Sequence, residues 1–317
     1  MPERHPVRGY LYIAGAALFW GISASLGRAV FTGRLFRGAQ TWPEIDPLIL
    51  AQTRTTFSLI VLAPFLLARR GRQILSLPKV DFWRCLLLGT LGVAASNYFY
   101  YLAIQKTNVA TAIILQYTAP VWVLLYMVVR GFQAPTVQRI VSVGLAVVGS
   151  ALAIGIVGGA GLRFSGWGIG AAMVAAFSFA FYNVFGHGLL VRHDRWKILL
   201  YTLLGAALCW MVINPPWKIA GAHYVGTQWV FLAVFAIVSV LIPFSFYFSG
   251  LQHLDATRAI VTSCLEPVFS ILIAAVALGE VVRPLQALGI VIVLTATVLV
   301  QLPSRQREER VFVEPIE

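Results

Sequence analysis

Glu266 is the residue of this sequence best placed to do chemistry. It lies between Val261-Thr262-Ser263-Cys264-Leu265 and Pro267, near the middle of a long apolar run that holds no other acid. A charged carboxylate at that depth costs several kcal/mol, so the group must pair or stay protonated. Three roles fit it: holding a substrate ammonium, carrying a coupling proton, or pairing with Arg54. The competing role is structural, as a protonated and hydrogen-bonded side chain. Arg54 lies about seven residues into a second apolar run, where it could grip a carboxylate through two parallel hydrogen bonds. It could equally stretch to the membrane interface.

Prolines inside apolar runs are the next signal, because each removes a backbone donor and clashes with the carbonyl four residues earlier. Pro120 frees the carbonyl of Gln116, Pro267 that of Ser263 and Pro243 that of Ser239. Pro120 and Pro267 lie at similar depth in their runs, roughly 18 Å from the start. Paired breaks of this kind point to a binding site between halves of a transporter; static kinks are the alternative. Thr90, Asn97, Tyr101 and Gln105 recur at spacings of seven, four and four, which is one helix face. Such a stripe predicts either a pathway lining or polar contacts between helices. Tyr98, Trp20, Gln116, Tyr117, Trp122, Tyr182, Asn183 and Tyr247 complete an amphipathic lining suited to a flat or cationic ligand. Aromatic residues also fill cores and interface belts, and Trp167, Trp196, Trp217 and Trp229, at the ends of apolar runs, read as belt anchors.

Other chemistries lack their residues. The sequence holds no HExxH, no CxxC, no GxGD and no GxxxxGK[ST]; Cys85, Cys209 and Cys264 stand apart in apolar surroundings. It therefore predicts no cofactor, metal or ATP site. Energy for any transport must come from a gradient, from exchange or from a partner.

The elements that must position these residues are membrane helices. Apolar residues make up 59% of the 317 and charged residues 11%, too few to cover a soluble protein of this size. About 20 apolar residues span a bilayer, and ten such runs are present. They fall near Gly9–Val30, Pro47–Ala68, Phe82–Ile104, Asn108–Val129, Thr136–Val157, Gly166–Leu190, Lys197–Ile213, Gln228–Leu251, Ala256–Leu278 and Pro284–Leu302. Pro215 and Pro216 cut the seventh short. Residues Phe31 to Asp46 form the longest connection, and the charged tail 303–317 reads as disordered. The net charge of +12 is dispersed between apolar runs, which argues for topology signalling and against nucleic acid. Of the 24 Lys and Arg, sixteen fall on the side of the N-terminus and seven on the other, with Arg54 inside a span. This bias predicts that both termini are cytoplasmic.

The chain also repeats itself. A shift of 147 sets Gln105 on Gln252, Ala112 on Ala259, Ile113 on Ile260 and Pro120 on Pro267. A shift of 159 sets Gly9 on Gly168, Ala17 on Ala176 and Trp20 on Phe179. Two five-span halves follow, residues 1–157 and 158–302. Five is odd, so the halves cross the membrane in opposite directions, giving an all-α bundle of two inverted repeats around a central cavity.

Several motifs sharpen the expectation. They are Ala17-Leu18-Phe19-Trp20-Gly21, Pro47-Leu48 with Arg54, Thr118-Ala119-Pro120-Val121, Glu266-Pro267-Val268, Leu278-Gly279-Glu280 and Gln286-Ala287-Leu288-Gly289. In that order and spacing the chain resembles the EamA family of the drug/metabolite transporter superfamily. The resemblance implies ten spans, with the first, third, fourth, sixth, eighth and ninth lining a cavity and the fifth and tenth peripheral. It implies a secondary transporter in the bacterial inner membrane, exporting amino acids or related metabolites. The first half departs from the family with Arg130-Gly131-Phe132-Gln133 where Gly-Glu is usual. The expected partners are a small-molecule solute, membrane lipid and a coupling proton; a monomer satisfies the sequence. A lipid flippase, a channel and an intramembrane enzyme are the competing classes. The solute, its direction and its coupling ion are not written in the sequence.

Overall fold

A computed structural model of the chain describes residues 5–31, 45–107, 109–155 and 165–302, without the side chains of 27–31, 47, 109, 110 and 278. The tail 303–317, the glycine-rich connection 158–161 and most of the long connection after Phe31 lie outside these residues. Every described element is helical. Among the described residues, ten helices are long and apolar enough to cross a membrane: Pro6–Leu26, Leu48–Leu75, Lys79–Lys106, Thr111–Val129, Val137–Ile154, Gly166–Leu190, Arg195–Ile213, Gly226–Leu251, Ala256–Ala277 and Pro284–Gln301. They are numbered here as the first to tenth spans. The sequence places all ten.

Span starts carry their own caps. Asp46 accepts the amides of Leu48 and Ile49 at 2.7 and 3.2 Å, just ahead of Pro47. Thr136, Asp194 and Asp255 accept amides in the same way before the fifth, seventh and ninth spans. Such caps satisfy donors that have no partner within the helix. The seventh span ends at Ile213, and a short helix, Pro216–Ala220, follows the proline pair.

The fourth and ninth spans are each broken in two. The pieces are Val109–Gln116 with Ala119–Val129, and Ala256–Ser263 with Glu266–Leu278. A shift of 147 carries the first three of these four boundaries onto their counterparts, and the last, Val129, to within two residues of Leu278. The sequence predicts bends near these prolines, and the structure shows the α-helical bonding giving way there to a two-residue tight turn, with Thr118, Cys264 and Leu265 still in right-handed helical backbone. Pro120 and Pro267 sit in the first turn of a new helix, where a missing donor costs nothing. Thr118 N–H closes a tight turn on the Leu115 carbonyl, and Leu265 does the same on Thr262. The third and eighth spans instead widen into π-helix, at Leu88–Ala94 and Ile237–Leu241, which end 147 residues apart. Pro243 lies just after the second of these, while the first has Ser96 at the matching place, so the π-turn does not require the proline.

The π-segment also corrects the polar stripe of the third span. Asn97 and Tyr101 stay on one face, but Thr90 lies within the wide turn and donates to the Gly205 carbonyl of the seventh span at 3.3 Å. Gln105 is exposed. A π-turn shifts the phase of the helix, so the spacing of seven no longer returns to the same face.

Helix pairing obeys the same internal relation. The third span packs on the sixth as the eighth packs on the first; the first packs on the ninth as the sixth packs on the fourth; the third packs on the seventh as the eighth packs on the second. The second and seventh spans pair with each other, as do the fifth and tenth. Glycines permit the closest approaches. A Cβ on Gly9 would strike His253 and Leu254, and one on Gly168 would strike Lys106 and Thr107, which are the same contacts under the two sequence shifts. Gly89 and Gly205 seat the third span on the seventh; Gly149 and Gly289 seat the fifth on the tenth.

At the end bearing residues 5 and 302, polar side chains tie the connection after the second span to that after the sixth. Asp81 meets Arg84 at 3.0 Å and His193 at 2.7 Å; Arg70 meets Asp194 at 2.9 Å. Lys197 and Tyr201 donate to the carbonyls of Ser76 and Leu75. Behind this strap lies the largest apolar core, with Ile13, Leu88, Trp210, Tyr247, Phe248 and Leu251 fully buried.

Candidate functional site

The helix breaks open onto a cavity of about 620 Å³. Both fourth-span and ninth-span breaks face it, through Gln116, Tyr117, Pro120, Ser263, Glu266 and Pro267. It extends toward the end away from the termini, where Ile104, Ile154, Glu280 and Gln286 line it. Toward the termini it stops near mid-bundle at Gly92, Val93, Tyr182 and Phe244, above the apolar core.

Of the residues nominated from sequence, Trp20, Asn97, Tyr101, Gln116, Tyr117, Tyr182, Ser263 and Glu266 line this space, with Pro120, Pro267 and Arg54. Trp20 is fixed edge-on against Phe244 at 5.8 Å, and Tyr182 meets the same ring at 5.5 Å. Asn97 donates to the Val93 carbonyl at 2.8 Å, within the π-segment. Ser263 donates to the Ile260 carbonyl at 2.8 Å, just before the break. Gln116 reaches Ser96 at 3.5 Å.

Glu266 begins the second half of the ninth span, with the Tyr117 hydroxyl beside it and the Arg54 guanidinium acting on it through space. The acid thus meets the partner offered by the other broken helix. Arg54 and Glu266 share one chamber but form no salt bridge among the described residues.

Five nominated residues lie elsewhere. Tyr98 packs into the core against Phe99 and Trp210. Trp122 packs at a tilt against Phe177, ring centroids 4.4 Å apart, and donates to Thr118 at 3.2 Å. Asn183 and Tyr247 are fully buried and hydrogen-bonded to each other. Pro243 is buried beside the π-turn. Spacing alone does not separate these from the lining, because the broken and widened helices rotate neighbouring residues to different faces.

Sequence reasoning passed over Ser23, Ser96, Phe179, Phe235, Phe244, Ser270, Glu280 and Gln286, all of which line the cavity. Two had signals. Ser23 stands 159 residues before Tyr182, and Glu280 stands 147 after Gln133. Gln133 itself is buried and accepts a hydrogen bond from Thr257 at 2.8 Å, so an amide serves in the first half where the second keeps an acid. The lining is also wider than the family resemblance implies: the second span contributes Leu50 and Arg54, and the ends of the fifth and tenth contribute Ile154 and Gln286.

The profile of the EamA-like transporter family matches residues 7–155 and again 166–302. The chain belongs to the EamA-like transporter family. This EamA chain is 23% identical over 304 residues to an uncharacterized inner membrane transporter, YicL, of Salmonella typhimurium, covering 95% of this chain and 97% of that one. It is 27% identical over 259 residues to an uncharacterized transporter of Archaeoglobus fulgidus, covering 80% and 86%. A crystal structure superposes with a TM-score of 0.74 at 20% identity, over 92% of this chain and 95% of that one, which is a likeness of fold. The EamA protein is a multi-pass membrane protein of a transporter family.

Proposed function

We propose that the protein is a secondary transporter that moves a small organic solute, such as an amino acid or related metabolite, by alternating access through the central cavity. One observation carries this reading. Two helices from different halves break at equivalent residues, and both breaks face the same mixed polar and aromatic space. Broken helices at the interface of two repeats are the usual site of solute and ion binding in such carriers. The matched helix pairings support two repeats related by a two-fold axis in the membrane plane. The basic bias supports cytoplasmic termini. The described conformation then has its cavity toward the outside and its strap closed on the inside. Glu266 supports proton coupling, as an acid held at mid-span within that cavity.

The test is flux into vesicles carrying the purified protein, with and without a pH gradient. Ser263→Trp places an indole in the cavity and should abolish solute flux while the protein still folds. Solute flux that continues unchanged in this variant would sink the cavity reading. Lipid scrambling that survives the block, with no solute flux in the parent, would favour the flippase.

A further inference from the structure

We infer that Arg54 is the carboxylate anchor of the cavity, which makes its solute a small organic monoanion or zwitterion with an apolar or aromatic body. This rests on the transport reading above and adds the chemical class. Arg54 stands six residues after Leu48, roughly 9 Å along the second span. A guanidinium at that level must face protein or a water-filled space, and this one faces the cavity.

Its surroundings hold it without neutralising it. The Tyr101 hydroxyl accepts from one Nη at 3.5 Å, and the Phe235 ring lies 5.7 Å from the guanidinium carbon. No carboxylate lies within 4.0 Å of it among the described residues. Five donors in a planar fork thus have one long contact. A carboxylate satisfies such a fork with two parallel bonds. Phosphate fits less well, since among the described lining residues Arg54 is the single basic one, and Glu266 and Glu280 share the lining. The rings of Trp20, Tyr101, Tyr182, Phe235 and Phe244 offer the apolar remainder of the solute a wall.

Chemical protection tests this without knowing the natural solute. The full-length protein in vesicles is treated with phenylglyoxal, which modifies arginine, and Arg54 modification is read by peptide mass spectrometry. Phenylacetate, phenylalanine and phenethylamine are the competitors. Phenylacetate, phenylalanine or both should slow modification of Arg54 by about tenfold, and phenethylamine should not. The two carboxylates separate a simple acid from a zwitterion. Equal protection by all three, protection by the amine alone, or protection by none overturns the assignment. Arg54→Gln should lose binding of the protecting carboxylate by at least about tenfold, and Arg54→Lys should recover part of it. If Ser263→Trp blocks flux but Arg54 shows no carboxylate protection, the anchor fails and the transport cavity stands. If Ser263→Trp leaves flux intact, the cavity reading fails instead.

Discussion

Glu266 is where the two broken helices meet chemically, since its carboxyl lies beside Tyr117 of the opposite half. If it carries the coupling proton, Glu266→Gln should flatten the pH dependence of transport while expression and folding persist. Normal flux with the parental pH profile would leave Glu266 a structural residue. Tyr117→Phe removes only the hydroxyl and should shift that profile without abolishing flux. His253 gives a separate pH signature, outside the spans. Burial lowers its affinity for a proton, and the nearby charges of His5, Arg195 and Arg8 lower it further. Its folded pKa therefore lies below the unfolded value, so the fold is fully favoured above about pH 6.5 and loses stability as pH falls toward the lowered value. The melting temperature of the parent should drop modestly across that window, and that of His253→Gln should drop less.

At the scale of the element, the close glycine contacts carry the clearest expectation. Gly89→Ala would bring a Cβ to about 2.0 Å from the Thr202 carbonyl oxygen, which is backbone and cannot swing away. Overpacking of this kind costs about 1–3 kcal/mol, so thermal unfolding in detergent should show a clear loss. Gly144→Ala meets nothing within 4 Å and should be silent. Equal behaviour of the two variants would contradict the described packing of the third span on the seventh. The spans themselves were legible in the sequence, because lipid imposes length and polarity on every one of them. The breaks were half legible: Pro120 and Pro267 announced their places, but not the tight turns just before them that form the breaks. The π-turns were not legible. No proline or glycine pattern common to Leu88–Ala94 and Ile237–Leu241 marks them, and the first carries Thr90 off the face of the stripe. Tyr98, Asn183 and Tyr247 show the same limit, since a buried aromatic or amide looks alike in sequence whether it faces a cavity or a core.

For the whole molecule, topology is the open quantity. Sixteen basic residues against seven predict both ends of the chain in the cytoplasm. Reporter fusions after Arg307 should read cytoplasmic, and a fusion after Lys218 should read outside; the reverse pattern would invert the proposed direction of the cavity. The paired fifth and tenth spans have a consequence for motion. Gly149 and Gly289 bring their backbones together so closely that an added methyl would meet backbone on the partner helix. Sliding or separating these two helices would break that seat. The pair should therefore behave as a stator. Spin labels on the exposed positions Val148 and Val298 would hold one narrow distance through the transport cycle, giving a fixed ruler against which the movement of the other spans can be measured.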